Sequence, residues 1–130
     1  MTTEFKRKEY EASNGKTYYT RSGWEHNYCS YLDWLKAQGE IKDWEYEPQR
    51  YYFIDNSVKP PRALGNGYLP DFKVINNDDS WYLVEIKGRR VGILKLKRMK
   101  RFYPEIRIEL IEQKDYLILK KKVGRLLNWD

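Results

Sequence analysis

The sequence predicts a single domain of the α/β class, and three observations lead to this prediction. Two segments, near residues 23–38 and 93–103, carry apolar side chains at steps of three and four residues, the spacing of a helix with one buried face. Between positions 68 and 87, two apolar stretches flank a polar cluster, as in a β-hairpin. With 130 residues, of which 16% are aromatic, the chain is long enough to build its own core. The predicted order of elements is α-β-β-β-α-β-α.

This one domain is predicted to span residues 1–130 in three parts. Residues 1–20 alternate charged and polar groups around Asn14-Gly15, a turn signal. They predict an extended N-terminal arm or a short hairpin. Residues 21–112 hold the main helices and strands. Residues 113–130 hold a last helix and an apolar tail.

The first helix is predicted over residues 23–38. Ser22 is suited to cap its N-terminus, and Glu25 follows three positions later, as in a capping box. Gly39 ends the apolar pattern. The apolar positions are Trp24, Tyr28, Tyr31, Leu32 and Leu35.

The three strands that follow include a hairpin whose register brings two acids together. Aromatic and β-branched residues between 41 and 55 predict the first strand, and 56–67 the longest loop. A turn centred on Asp78 pairs residues whose numbers sum to 156, so Asp71 falls opposite Glu85, with side-chain carbons about 5 Å apart. Lys87 points to the same face. The predicted core face holds Tyr68, Phe72, Val74, Tyr82, Val84 and Ile86. A shift of one residue would move Glu85 to the other face.

The remaining elements are a basic helix, a strand and a last helix. Apolar residues at helical spacing run from Ile93 to Tyr103, and Pro104 stops them. Residues 105–112 alternate as a strand, Asp115 is suited to cap the last helix, and Gly124 ends it.

Positive charge is concentrated immediately after the paired acids. The net charge is +6 and the sequence pI near 9.3. Residues 87–101 contain eight basic side chains and no acid, which predicts contact with nucleic acid. Arg89 and Arg90 are the strongest candidates for phosphate contacts, because they follow the strand that carries Glu85. The other predicted contacts are Lys95, Lys97, Arg98 and Arg101.

Several classes of protein are excluded by composition. One cysteine, Cys29, cannot form an internal disulfide, and with one histidine, His26, it cannot build a zinc site or an HNH-type nuclease centre. Both are predicted to be structural. The N-terminus lacks a signal-peptide pattern, and no apolar run approaches the roughly 18 residues of a membrane helix. We therefore expect a cytoplasmic protein with no membrane partner.

The opposed acids predict a metal site. Two carboxylates that face each other on a sheet repel unless a cation lies between them. Magnesium prefers such oxygen ligands and retains waters for phosphate chemistry. A nearby lysine would orient water or neutralise a phosphate. Glu-x-Lys also occurs at Glu4, Glu40 and Glu112, so this spacing alone does not indicate a site. Glu85–Lys87 differs because an apolar strand precedes it and because the hairpin register pairs Glu85 with Asp71.

Pro70-Asp71, thirteen further residues and then Glu85-Ile86-Lys87 resemble the signature of the PD-(D/E)XK nuclease superfamily. The resemblance covers residues 21–112. It implies a restriction-endonuclease-like αβββαβ core in which helices flank a mixed sheet, and it makes 1–130 a single nuclease domain.

The resemblance also implies roles for individual residues. Asp71 and Glu85 would bind Mg²⁺, with the backbone carbonyl of Ile86 as a further ligand, and Mn²⁺ would substitute. Lys87 would position the attacking water. Glu25 would complete the metal shell directly or through water. Cleavage would leave a 5′-phosphate, and no small-molecule cofactor is implied.

Within that superfamily the chain resembles small phage nucleases and archaeal-type Holliday junction resolvases. The expected activity is therefore magnesium-dependent cleavage of branched DNA by a homodimer, because two symmetric cuts need two sites. If phage-encoded, the protein would act in the host cell cytoplasm. The alternatives are a phage nuclease acting on other duplex or flap DNA, a non-catalytic nucleic-acid-binding module on a nuclease scaffold, and a structural phage protein that neutralises packaged DNA.

Overall fold

The structure is a computed structural model that describes residues 8–86 and 90–130. Its secondary structure confirms the α/β prediction: helices flank a mixed four-stranded sheet, and two short hairpins lie outside that sheet. In chain order the elements are β1 (Lys8–Glu11), β2 (Thr17–Thr20), α1 (Gly23–Ala37), β3 (Asp43–Tyr46), β4 (Ile54–Asp55), β5 (Arg62–Ala63), β6 (Phe72–Ile75), β7 (Trp81–Ile86), α2 (Arg90–Phe102), β8 (Ile108–Ile111) and α3 (Gln113–Val123).

The central sheet has the order β3-β6-β7-β8. β3, β6 and β7 are antiparallel neighbours, whereas β8 runs parallel to β7. A parallel neighbour requires a crossover connection, and α2 supplies it. Without the hairpins β1-β2 and β4-β5, the chain follows the predicted order α-β-β-β-α-β-α.

The first helix begins at its predicted cap. The Ser22 hydroxyl oxygen accepts the backbone N–H of Glu25 at 3.2 Å, which satisfies one of the free donors of the first turn. The helix ends at Ala37, and Gly39 follows with a φ of +77°, which suits glycine. Tyr28, Cys29 and Leu32 are its buried apolar residues.

The hairpin register is the one that the sequence predicts. Phe72 pairs with Val84 and Val74 with Tyr82, so the residue numbers sum to 156 in each pair. The turn is closed by a hydrogen bond from the N–H of Asn76 to the carbonyl of Ser80 at 2.7 Å. The alternation of apolar and polar side chains along the two strands, together with the short polar turn, was sufficient to predict this register.

The two faces of the sheet carry separate cores. Phe72, Val74, Val84 and Ile86 pack with α1, and Tyr82 lies at the margin of this cluster. On the other face, Leu83 packs with Met99 of α2. The prediction for Tyr68 was wrong, because Tyr68 belongs to the second cluster. The chain bends at Pro70-Asp71, before β6 begins, so strand alternation does not extend back to position 68.

Helix α3 is attached to α1 by aromatic packing. The rings of Trp24 and Tyr116 stack with centroids 4.1 Å apart, and Asn27 donates a hydrogen bond to the Tyr116 hydroxyl at 2.9 Å. α3 begins at Gln113 after Glu112. Asp115 does not precede the helix as predicted but lies in its first turn, where it accepts the N–H of Glu112 at 3.0 Å.

Three other boundaries differ from the predictions. The strand predicted over 41–55 is divided into β3 (Asp43–Tyr46) and β4 (Ile54–Asp55), because Glu47 has a φ of 46° and Pro48 follows it. The loop predicted over 56–67 contains β5, which pairs with β4. The predicted strand 105–112 is shortened to Ile108–Ile111.

Residues 1–20 contain the hairpin β1-β2, with Asn14-Gly15 in its turn, as one of the two predicted alternatives. No helix within residues 8–86 and 90–130 is both long and apolar enough to cross a membrane.

Candidate functional site

The end of the sheet opposite the β6-β7 turn brings Asp71 and Glu85 together. Asp71 immediately precedes β6, and its carboxylate accepts the N–H of Ile86 at 2.7 Å. Its carbonyl accepts the N–H of Glu47 at 2.8 Å, so the residue is held by chain segments on both sides. The Asp71 and Glu85 side chains lie within hydrogen-bonding reach of each other. The pairing predicted from the register therefore exists in the structure.

Burial and mutual repulsion perturb both carboxyl groups. Burial raises the pKa of Asp71, and the neighbouring charges of Glu85 and Glu25 raise it further. Burial also raises the pKa of Glu85. Two buried carboxylates this close cannot both ionise at low cost, so they titrate as a pair that retains a shared proton. Such an arrangement is unfavourable for stability alone and is typical of functional sites.

Glu25 is the third acid near this pair. It lies in the first turn of α1, where Ser22 donates to one carboxylate oxygen at 2.6 Å and Tyr46 to the other at 2.8 Å. Its charge acts on both Asp71 and Glu85. However, the described part of the chain contains no group of three or more His, Cys, Asp or Glu residues arranged to hold a metal ion. Asp71 and Glu85 are therefore the two closely paired acids of the site, and both carboxylate oxygens of Glu25 are already hydrogen-bonded, to Ser22 and Tyr46.

Two tyrosines, which the sequence did not single out, orient these acids. The Tyr68 hydroxyl donates to Glu85 at 2.9 Å, and the Tyr46 hydroxyl donates to Glu25 at 2.8 Å. Burial, followed by the charge of the adjacent glutamate, raises the pKa of each tyrosine, so both remain protonated donors. Tyr46 is opposite Phe72 in the β3-β6 pairing, which places it near Asp71, and this pairing was not predicted from the sequence.

Lys95, one of the predicted basic residues, acts electrostatically on Glu85. It is half-buried on α2, and its charge lowers the pKa of Glu85, opposing the larger effect of burial. Lys87 and Arg89 lie outside the described residues, and Arg90 begins α2. Ile86 contacts the site through its N–H; the expectation for its carbonyl remains a prediction.

The other predicted contacts lie farther along α2. Lys97 and Arg101 are exposed and are separated by four residues, which places them on one face of the helix. Arg98 is half-buried, and its guanidinium lies beside Gly65, in the segment between β3 and β6.

His26 and Cys29 lie away from this chemistry. Cys29 lies on the core-facing side of α1 and is fully buried, and burial raises the pKa of its thiol. His26 packs edge-on against Tyr10 at 5.6 Å, and burial lowers the pKa of its imidazole. Cys29 therefore lacks the exposure of a reactive thiol.

The fold and the site define a class: a small α/β domain with a buried carboxyl pair at one end of its sheet and a basic helix beside it. The chain belongs to the family described as "Protein of unknown function (DUF1064)", whose model matches residues 5–118. Neither the curated proteins nor the solved structures gave a significant match.

Proposed function

We propose that this protein is a magnesium-dependent DNA endonuclease of the PD-(D/E)XK type. The observation that carries the proposal is the buried Asp71–Glu85 pair, which is held by the Ile86 N–H and the Tyr68 hydroxyl. Both acids have raised pKa values, and the basic helix α2 follows them in the chain. A divalent cation would replace the shared proton and remove the repulsion that burial creates.

The residues present fit a hard cation with oxygen ligands. Asp71 and Glu85 would hold it, the Ile86 carbonyl would be a further ligand, and Glu25 would contact it through water. When bound, the metal supplies Lewis-acid polarisation and an activated water for phosphodiester hydrolysis. Mn²⁺ has the same preference for oxygen ligands and would substitute. Tyr68 and Tyr46 hold the carboxylates in fixed orientations.

A lysine next to the acids would complete the site. Lys87 follows Glu85 by two residues and is proposed to orient the attacking water or to neutralise charge on the phosphate. Lys95 already acts electrostatically on Glu85 and would contribute positive charge where the phosphate approaches. These assignments make Lys87 catalytic and Lys95 a contact for the substrate.

DNA is the proposed substrate because the basic stretch between 87 and 101 adjoins the acids. The narrower proposal is a four-way junction cut symmetrically by a homodimer, since one chain supplies one carboxyl pair. The proposed location is the cytoplasm, or the host cell cytoplasm for a phage-encoded protein. Flap or other duplex DNA is the alternative substrate.

The experiment that tests the proposal compares a labelled four-way junction with a matched linear duplex. Wild type and Asp71→Asn are assayed with Mg²⁺, with Mn²⁺ and with chelator. Paired nicks that need metal and Asp71 and that occur in the junction alone support the resolvase. Cleavage of both substrates retains the nuclease and excludes junction selectivity.

A second candidate is a non-catalytic nucleic-acid-binding module. The observation in its favour is that the described residues contain two direct carboxylate donors and no three-ligand metal group. This candidate expects wild type to bind DNA without cutting it in any metal, and Asp71→Asn to bind with unchanged affinity. Binding without cleavage would therefore overturn the nuclease proposal.

A further inference from the structure

We infer that residues 49–67, here called the arm, form with α2 one cationic surface that binds the phosphate backbone of duplex or branched nucleic acid. The inference deepens the proposed function and rests on it only for the identity of the partner as nucleic acid. The arm contains the hairpin β4-β5 and connects β3 to β6, so the chain leaves the central sheet after β3 and returns to it just after Asp71.

The base of the arm is closed rigidly next to the carboxyl pair. Tyr51 and Tyr68 exchange two backbone hydrogen bonds, at 2.7 and 2.8 Å. Gly67 has a φ of +75°, and a Cβ at this position would lie 2.4 Å from the Tyr51 carbonyl oxygen, so only glycine permits this approach. The Tyr68 hydroxyl, at the same base, donates to Glu85. The base of the arm is therefore fixed next to the acids.

The arm packs against α2 and does not extend freely into solvent. The rings of Phe53 and Phe102 lie 5.6 Å apart, and Phe53 is 1% exposed. Past the end of α2, the Tyr103 hydroxyl donates to the Tyr52 carbonyl at 2.7 Å. These contacts hold the arm beside α2. The positive charges of the arm and of α2 can therefore act together on one ligand.

The combined surface is strongly positive. The arm carries three exposed cations, Arg50, Lys59 and Arg62, against one acid, Asp55. The Asp55 carboxylate accepts both the N–H and the hydroxyl of Ser57, at 3.0 and 2.5 Å. These two bonds lower the pKa of Asp55, with smaller contributions from the charges of Arg101 and Arg62. One acid therefore lies among arginines from both elements and neutralises few of them.

The cations of the arm are available to a ligand. Across residues 8–86 and 90–130, neither Lys59 nor Arg62 forms an ion pair within 4 Å. Tyr52, Ile54 and Val58 are exposed beside them, with Tyr52 at 56%. Unpaired cations next to exposed aromatic and aliphatic groups are typical of surfaces that bind nucleic-acid backbones.

The test measures the salt dependence of binding by fluorescence anisotropy, with a labelled duplex and a labelled junction, in chelator so that no cleavage occurs. Wild type is compared with Lys59→Ala/Arg62→Ala. The matched control is Lys42→Ala/Arg107→Ala, which removes one lysine and one arginine near the β6-β7 turn, where they pair with Asp79 and Glu109.

Loss of two phosphate contacts should reduce the slope of log Kd against log salt by about 1.8 and weaken binding by about tenfold or more in low salt. The control should change neither quantity, and circular dichroism melting should show that both variants fold. Polyglutamate should not compete, because it lacks the spacing of a nucleic-acid backbone.

An unchanged slope in the arm variant would overturn the inference, as would equal loss in the control or effective competition by polyglutamate. Cleavage assays on the same variants distinguish the two proposals. Arm-dependent binding by a wild type that never cleaves would support the inference and overturn the nuclease. Cleavage by wild type with arm-independent binding would overturn only the inference.

Discussion

The two ends of the β6-β7 hairpin each carry an aspartate, and the two environments shift its pKa in opposite directions. At the turn, Asp78 is exposed and accepts hydrogen bonds from the N–H and hydroxyl of Ser80, which lower its pKa. At the other end, burial and the neighbouring Glu85 raise the pKa of Asp71. The turn acid stabilises the hairpin as a carboxylate, whereas the buried pair is costly when charged. A costly arrangement in a well-packed sheet is typical of functional sites, which supports the function proposed for the Asp71 end.

Replacing the acid at each end should separate their roles in activity. Asp71→Asn removes a proposed metal ligand and should lower the cleavage rate by about 100-fold or more, since metal catalysis is worth several kcal/mol. Asp78→Asn, at the turn, should leave the rate unchanged. Single-turnover cleavage of labelled DNA measures both. Equal rates for wild type and Asp71→Asn would contradict the proposed site.

Metal should stabilise the protein only by binding to the buried Asp71–Glu85 pair. A ligand present at about 100 times its Kd adds about 2.7 kcal/mol to the free energy of unfolding. Mg²⁺ or Mn²⁺ should therefore raise the Tm of wild type and of Asp78→Asn, and leave that of Asp71→Asn nearly unchanged. Differential scanning fluorimetry across a metal titration checks this. A metal-independent Tm in wild type would count against a cation between Asp71 and Glu85.

The tyrosine at the base of the arm should act as a positioning residue. Tyr68→Phe removes the hydroxyl that orients Glu85, and loss of such outer partners typically weakens metal binding by about tenfold or more. The metal concentration for half-maximal cleavage should rise accordingly, with the rate restored at saturating metal and DNA affinity unchanged.

Tyr19→Phe, at an exposed position of β2 outside the arm, is the matched control and should behave as wild type. If Tyr68→Phe instead lowered Tm and DNA affinity without changing the metal dependence, the role of Tyr68 would be structural.

The opposite pKa shifts predict opposite effects of pH on stability without metal. Because the folded pKa of Asp71 is raised, its contribution is fully present below the ordinary carboxyl pKa and is lost as pH rises through the folded value. Asp71→Asn should therefore become more stable than wild type as pH rises, by up to about 1.4 kcal/mol for each pH unit above the ordinary carboxyl pKa. Thermal melting in chelator between about pH 4 and 9 tests this.

Asp78 has a lowered pKa, so its contribution is present above the ordinary carboxyl pKa and is lost as pH falls through the folded value. Asp78→Asn should therefore be slightly less stable than wild type at neutral pH and equal to it in acid. Parallel pH profiles for the two variants would contradict the contrast between the two ends.

Much of the candidate site was predictable because its main determinants are local. The alternation of β6 and β7 around a short turn specifies which residues face each other, and this placed Asp71 opposite Glu85. The hydroxyl of Ser22 and its spacing to Glu25 predicted the start of α1. The partners Tyr68 and Tyr46 were not predictable in the same way. Tyr46 reaches Glu25 from 21 residues away, and the face of Tyr68 changes at the bend before β6.

By itself the sequence determined the α/β class, the β6-β7 register and the position of the basic stretch, because periodicity, capping and turn chemistry act over a few residues. Only the tertiary structure decided that Tyr68 holds Glu85, that Lys95 acts on the acids, and that the arm packs on α2. Those contacts depend on how distant segments pack against the two faces of the sheet, and local patterns do not specify that packing.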